Sequence, residues 1–226
     1  MGVNAWRFAA TYDRFSAATE QGGLAAHRAD LLADARGRTL EIGGGTGANL
    51  AHYGPAVDAL TVTEPHPAMV KRLERKLVGR EHADPPVMVL RAPAEDLPFP
   101  DATFDTVVST LVLCSVDDQP RALRELRRVL RPDGRLLFME HVRSDDPGLA
   151  RRQDRMNWLN RIVVLCDCNR PTLRSIEAAG FTLTHLTRST LPKAPSFASP
   201  LVVGIATPPG PTPAETPGSV THRAGG

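Results

Sequence analysis

The apolar positions of this chain fall into two kinds of run that alternate along it. Short continuous stretches occur at 39–42, 59–63, 87–90, 104–113 and 135–141. Between them, apolar residues recur three and four apart, as Met69, Val70, Leu73 and Leu77 after the second run and Leu123, Leu126, Val129 and Leu130 after the fourth. A continuous run bounded by turn residues reads as a strand buried on both faces, and a period near 3.6 reads as a helix buried on one. A helix is also expected after the first run, reaching about Tyr53. Pro120 opens the helix beyond the fourth run, and Arg131-Pro132-Asp133-Gly134 closes it before the fifth strand. Such alternation predicts βαβ units and a parallel sheet with helices on both faces.

Past residue 145 the pattern weakens into a polar helix at 149–164, a loop at 166–170 and a short helix at 171–179 ended by Gly180. Two further strands at 181–186 and 201–206 complete a seven-stranded, mostly parallel, doubly wound α/β sheet. Those two strands would form the antiparallel edge that such sheets often carry. Ahead of the first strand, Trp6, Phe8, Leu24, Leu31 and Leu32 lie at helical spacing around a break at Gly22-Gly23, which predicts two N-terminal cap helices. The expected organisation is cap helices over 1–36, one α/β domain over 37–206, and a Pro- and Gly-rich tail over 207–226 with too little apolar surface to fold.

Composition narrows the function classes. A chain of 226 residues that is 42% hydrophobic can bury a core without staples. Three cysteines, Cys114, Cys166 and Cys168, make neither a disulfide framework nor a CxxC or His-rich metal pattern. The expectation is no metal, a buried Cys114, two inert thiols and a reducing cytoplasm. Lys and Arg number 27 against 25 Asp and Glu, and the arginines of 121–131 are interleaved with acids as on a solvated helix face. Nothing resembles a nucleic-acid footprint. The stretch MGVNAWRFAATYDRF lacks the apolar core of a signal peptide, and no run approaches the roughly 18 apolar residues of a membrane span. A soluble protein is expected, with peripheral membrane contact through Ala5-Trp6-Arg7-Phe8 left open. No feature specifies an oligomeric state.

The candidate chemistry starts at LEIGGGTGAN, residues 40–49. A glycine inside an element costs about 0.5 to 1 kcal/mol relative to alanine, so a cluster of them needs a turn or a ligand that approaches closely. In sheets of this class ligands sit outside the carboxyl ends of the strands, where a first βα turn of bare amides can cradle them. Gly43, Gly45 and Gly47 fit the GxGxG turn of adenosylmethionine enzymes, while Gly43, Gly45 and Ala48 fit the dinucleotide pattern equally. Glu64, at the end of the second strand, is placed to hold the ribose hydroxyls that both cofactors carry. A dinucleotide oxidoreductase would need a second nucleotide-binding half or a substrate domain, and little chain follows Gly134 to build one. At the rim of the later strands, His141 and Asp167 are the candidate catalytic helpers, with Glu140 beside the histidine. His141 reads equally as a satisfied structural histidine, Asp167 as an ordinary loop acid, and His66 and His185 as surface or core residues.

RAPAEDLPFPDATFD at 91–105, STLVLCSV at 109–116, RRVLRPDGRLLFMEHV at 127–142 and CDCNRPTLRSIEAAGF at 166–181 follow that turn in order. With these stretches the chain resembles the class I S-adenosylmethionine-dependent methyltransferases, which are Rossmann-like and carry a type 11 methyltransferase domain. Within them it is similar to the ubiquinone and menaquinone C-methyltransferases. It resembles most the methyltransferase-like thiol S-methyltransferases and their bacterial relatives, over roughly residues 24–190. The resemblance implies S-adenosyl-L-methionine as cofactor and S-adenosyl-L-homocysteine as product. It sets Gly43, Gly45 and Gly47 under the methionyl part, Glu41 orienting the turn or the ammonium group, and Glu64 on the ribose. Ala94 and Glu95 would lie along the adenine, Thr110 and Leu111 would face the sulfonium, and Tyr12 would reach the cofactor carboxylate. Two positions depart from the family pattern: Gly44 stands where many relatives have Cys, and Pro93 where many have an Asp for the adenine amino group. The implied activity is methyl transfer to a small-molecule acceptor, a thiol first. C- or O-methylation of a quinone or phenol, N-methylation of a phospholipid head group, and a non-enzymatic adenosylmethionine-binding role are the alternatives.

Overall fold

The computed structural model describes residues 19–78, 85–163 and 166–209. Tyr12, the first expected cap helix and the tail from 210 onward lie outside the described residues. Seven strands form one sheet in the order β3-β2-β1-β4-β5-β7-β6. They are β1 (Gly37–Ile42), β2 (Val57–Thr63), β3 (Val87–Leu90), β4 (Phe104–Thr110), β5 (Leu130–His141), β6 (Thr182–Thr190) and β7 (Pro200–Thr207). The first five pair in parallel, and β7 runs antiparallel to both β5 and β6. The helices are α1 (Ala25–Leu32), α2 (Pro67–Leu77), α3 (Gln119–Val129), α4 (Pro147–Val163) and α5 (Thr172–Ala178).

Alternation along the central strands divides the core into two layers. Leu40, Ile42, Val107, Leu136 and Phe138 face Leu123 and Leu126 of α3 and Ile176 of α5. Val62, Val108, Leu137 and Met139 face Leu31 and Leu32 of α1 and Leu73 of α2. Each fully buried apolar side chain of this size contributes about 1.5 to 3 kcal/mol relative to exposure. The helices start where the chain offers caps. His66 Nδ1 accepts from the Ala68 amide at 3.3 Å ahead of Pro67, and Asp118 accepts from the Arg121 amide at 2.9 Å ahead of Pro120.

Local order differs from the sequence reading at several places, among them the fourth run, whose strand ends at Thr110 and not Leu113, and the sixth, which extends to Thr190. The helix expected to reach Tyr53 is a single 3₁₀ turn at Asn49–Ala51. Few residues separate Gly47 from Gly54, which is too short a span for a helix to nucleate well, and the Asn49 side chain is drawn into the interior. Strand β5 begins at Leu130, because Leu130 pairs with Phe104 before the register shifts to Thr106 opposite Arg135. The break at Gly22-Gly23 is a π-type turn over Glu20–Leu24, with Gly23 at φ 125°, that leads into α1. Among the arginines read as a solvated face, Arg128 is an exception. It donates to the carbonyls of Phe99 at 2.7 Å and Leu97 at 3.0 Å and pairs with Glu125, which itself accepts from the Leu97 amide at 2.9 Å. The loop after β3 is thereby tied to α3.

Phe138 is fully buried at the middle of β5, against the backbone of Gly204 on β7. Phe138→Ala is expected to cost about 3 to 5 kcal/mol, read as a lower urea midpoint at an unchanged slope. A loss under about 1 kcal/mol would show that the layer collapses around the gap.

Candidate active site

The turn after β1 is left-handed at three alternate residues: Gly43 at φ 57°, Gly45 at 55° and Gly47 at 76°. It is closed by the Gly47 amide on the Gly44 carbonyl at 2.8 Å and anchored by the Gly44 amide on the Thr63 carbonyl at 3.0 Å. The four glycines are there for different reasons. A Cβ on Gly43 would lie 2.6 Å from Val112, on Gly44 2.2 Å from Val62, and on Gly47 2.7 Å from Leu73. These three let the turn pack on its neighbours. A Cβ on Gly45 would project into open space, with the Gly43 carbonyl oxygen its nearest neighbour at 3.9 Å. Gly45 therefore presents bare backbone to the adjoining cavity, whose walls include Glu20, Arg28, Glu41, Thr46 and Thr110.

Below the turn lies a buried polar network. Glu41 is 2% exposed; its Oε1 accepts from Asn49 Nδ2 at 3.0 Å and its Oε2 from the Tyr53 hydroxyl at 2.8 Å. Burial pushes the Glu41 carboxyl up, against the Tyr53 hydrogen bond and the Arg28 charge that favour its ionised form. Arg28 donates through NH1 to Asn49 Oδ1 at 2.8 Å and Thr110 Oγ1 at 3.0 Å, and through Nε to Glu20 Oε1 at 3.0 Å. Neither Arg28 nor Asn49 is singled out by the sequence motifs. The available signal was that Arg28 falls on the same helical stripe as Leu24, Leu31 and Leu32, a charge on an otherwise apolar face.

Glu64 is also largely buried, and both its oxygens are held: Oε2 accepts from the Gly45 amide at 3.0 Å and Oε1 from the His66 amide at 2.8 Å. Burial raises its carboxyl above the usual range, and the two amides work in the opposite direction. Each oxygen of a carboxylate has a further lone pair, so Glu64 can accept two more hydrogen bonds. Ala94 is buried after β3, and Glu95 accepts from the amides of Asp117 at 2.9 Å and Asp118 at 3.3 Å, so it fixes the entry to α3. Neither of them lines the cavity at the glycine turn.

At the ends of β4 and β5 a second loop is organised by Glu140, which is fully buried. Its Oε1 accepts from Ser109 Oγ at 2.7 Å and from the amides of Val112 and Leu113, both at 3.1 Å; its Oε2 accepts from the Cys114 amide at 3.2 Å. Burial raises its carboxyl too, opposed by those donors. Leu111 takes a left-handed backbone, φ 59°, as the chain turns under this clamp, and Thr110 stays on the cavity wall. Next to the clamp, His141 Nδ1 lies 3.2 Å from Cys166 Sγ and 3.8 Å from Cys114 Sγ. Cys166, read from the sequence as an inert thiol, is thus part of a buried cluster with Cys114 and the histidine. Burial opposes a charged His141 ring, but Cys166 and Glu140 more than offset it and carry the ring above its ordinary value. A hydrogen bond from Cys114 and the nearby His141 ring, against burial, hold the Cys166 thiol down at about 5. His141 Nε2 is buried with no hydrogen-bond partner among the described residues.

Asp167 is placed differently from a free base. It accepts from Asn157 Nδ2 at 2.7 Å and Arg170 NH2 at 2.7 Å, and Arg161 stands 3.6 Å away. Burial would raise its carboxyl, yet Asn157 and the two arginines leave it below the usual range. Its role in the geometry is to hold the turn at 166–170, whose Asp167 amide donates to the Cys114 carbonyl at 2.9 Å. A larger cavity opens just beyond His141 between Val142, Pro147, Thr172 and Arg174. Of the other arginines on its wall, Arg143 is paired with Asp154 and Arg188 with Asp145.

The methyltransferase-domain family model matches residues 40–138, from the glycine turn through β5. The human thiol S-methyltransferase TMT1B is 36% identical over 157 residues, 68% of this chain and 63% of that protein. The human thiol S-methyltransferase TMT1A is 32% identical over 179 residues, 74% of this chain and 69% of that protein. The chain therefore spans somewhat under two thirds of the first relative's length and somewhat over two thirds of the second's. Among solved structures, the YcgJ protein of Bacillus subtilis superposes with a TM-score of 0.66 at 20% identity, over 82% of this chain and 100% of that one. That likeness speaks for the fold alone.

Glu140→Ala would leave three amides and a hydroxyl without their buried acceptor. The expected cost is about 3 kcal/mol or more, with hydrogen exchange at residues 112–114 accelerating beyond the global loss. Unchanged protection of those amides would show that the loop is held by other contacts.

Proposed function

Because the chain belongs to the S-adenosylmethionine-dependent methyltransferases, we propose that it transfers the methyl group of S-adenosylmethionine to a small thiol. The cofactor supplies a methyl carbon on a sulfonium sulfur, open to in-line displacement. Gly45 and the positive-φ turn around it suit the methionyl end, since the backbone there meets the cavity with no side chain in between. Arg28, on the cavity wall, offers the cation for a carboxylate, and Glu41 sets the turn through Asn49 and Tyr53. Glu64 keeps acceptor capacity for ribose hydroxyls. Ala94 and Glu95 are assigned to the adenine side, and Thr110 and Leu111 to the side of the reacting centre. Tyr12 lies outside the described residues and keeps its assignment to the cofactor carboxylate from the resemblance alone.

The observation that carries the thiol reading is the state of the acid at the rim. Asp167 is neutralised by Arg170 and Arg161, so it is a poor proton acceptor. His141 is the remaining candidate, and its Nδ1 is already turned to the sulfurs of Cys166 and Cys114. A protonated amine or a phenol needs a competent base, whereas a thiol ionises near pH 8.5 and needs chiefly to be held in line. The likeness to thiol S-methyltransferases over most of the chain points the same way.

Glu64→Ala is expected to weaken S-adenosylhomocysteine binding at least tenfold, since a hydrogen bond to a charged acceptor is worth about 1.5 to 3 kcal/mol. Calorimetry at matched folded fraction checks it, and unchanged affinity would remove Glu64 from the ribose. With small alkyl thiols, the methylation rate is expected to rise with pH along the acceptor's own ionisation, and His141→Ala to slow transfer without abolishing it. Turnover of phenols or amines in a panel where thiols are inert would overturn the assignment.

A further inference from the structure

Cys114 and Cys166 are not among the residues that line the cavity at the glycine turn, and His141 turns Nδ1 towards both of their sulfurs. The three residues come from three separate segments: the loop after β4, the end of β5 and the turn after α4. One ligand atom from each lies within 4.8 Å of the other two, and all three residues are buried. We propose that Cys114, His141 and Cys166 form a binding site for a thiophilic cation of the zinc(II) class.

The spacing suits such an ion. Zinc bonds of about 2.3 Å to sulfur and 2.0 to 2.1 Å to nitrogen, set tetrahedrally, separate sulfur from nitrogen by about 3.5 Å and sulfur from sulfur by about 3.7 Å. The two sulfur to Nδ1 distances here, 3.2 and 3.8 Å, bracket the first value. The ligands are also held from behind, as metal ligands commonly are. The Cys114 amide is fixed by Glu140 at 3.2 Å, the Cys166 carbonyl accepts from Asn160 Nδ2 at 2.7 Å, and the His141 carbonyl accepts from Thr172 Oγ1 at 3.4 Å. Cys168 belongs elsewhere, with its sulfur donating to Asn157 Oδ1 at 3.5 Å. Two thiolates would neutralise a divalent ion in this interior, and the thiol protons would leave to solvent on binding. Three protein ligands leave a fourth tetrahedral position for water or another small ligand.

The test uses the full chain, reduced and freed of metal, titrated with cobalt(II) as a spectroscopic probe and then with zinc(II). Stoichiometric thiolate-to-cobalt absorption, displaced by zinc, is expected for the unaltered protein and for Cys168→Ser. Cys166→Ser is expected to bind zinc more than about a hundredfold more weakly, because outer-shell partners alone are worth 10- to 100-fold. Cys114→Ser should behave alike, and Cys166 is the informative position if that variant does not fold. Absence of cobalt absorption in the reduced protein would overturn the proposal, as would binding that survives in Cys166→Ser. So would zinc-indifferent thiols that close into a Cys114–Cys166 disulfide on treatment with peroxide. None of these readouts depends on which acceptor is methylated.

Discussion

Three carboxylates at the carboxyl rim of the sheet, Glu41, Glu64 and Glu140, are withdrawn from water, and the loops of the site take their shape from satisfying them. A buried carboxylate without donors is costly, so each one here gathers amides, hydroxyls or amide side chains around it. Glu64 gathers Gly45 and His66, and so couples the end of β2 to the glycine turn. Glu140 gathers Ser109 and three successive amides, and so folds the loop after β4 back on β5. Glu41 gathers Asn49 and Tyr53, and through Asn49 reaches Arg28 on α1. The rim is in this sense one polar structure laid on an apolar sheet.

That arrangement suits a reaction governed by placement. In-line displacement rewards rigid positioning of donor and acceptor, and buried acids held by several donors supply rigidity. The same demand accounts for the left-handed Leu111, a conformation that a bulky residue holds only where its surroundings over-determine it. The clamp of Glu140 and the Leu111 amide donating to the Met139 carbonyl at 2.7 Å are those surroundings. Among the described residues at 166–170 the one acid, Asp167, is held by Asn157 and Arg170.

The fold follows from period and punctuation. Alternating apolar runs and helical stripes, with Pro120 and Gly180 marking ends, determine seven strands and the antiparallel edge without any long-range information, because each element buries its own face wherever it goes. The glycine turn and Glu64 were legible for a similar reason: a strand, a turn and a strand-end acid lie close in sequence and meet through a single parallel pairing. The helix expected after the turn failed because propensity yields to a tertiary demand, here the burial of Asn49.

What only the tertiary structure decided is which distant polar groups share one interior. Arg28 and Thr110 stand 82 residues apart and meet at 3.0 Å, and Cys114 and His141, 27 apart, are joined by Cys166 from a third segment. No local pattern encodes such a meeting, since side chains converge only when the strand order places β1, β4 and β5 side by side. The same convergence turned three unremarkable residues, two thiols without a CxxC spacing and one histidine, into a cluster with the geometry of a metal site. It also brought Arg161 and Arg170 against Asp167. Sequence spacing determined the sheet and the cradle, and the charges and ligands that work within them were settled by packing, because electrostatic partnership depends on distance in space and the chain records only distance along itself.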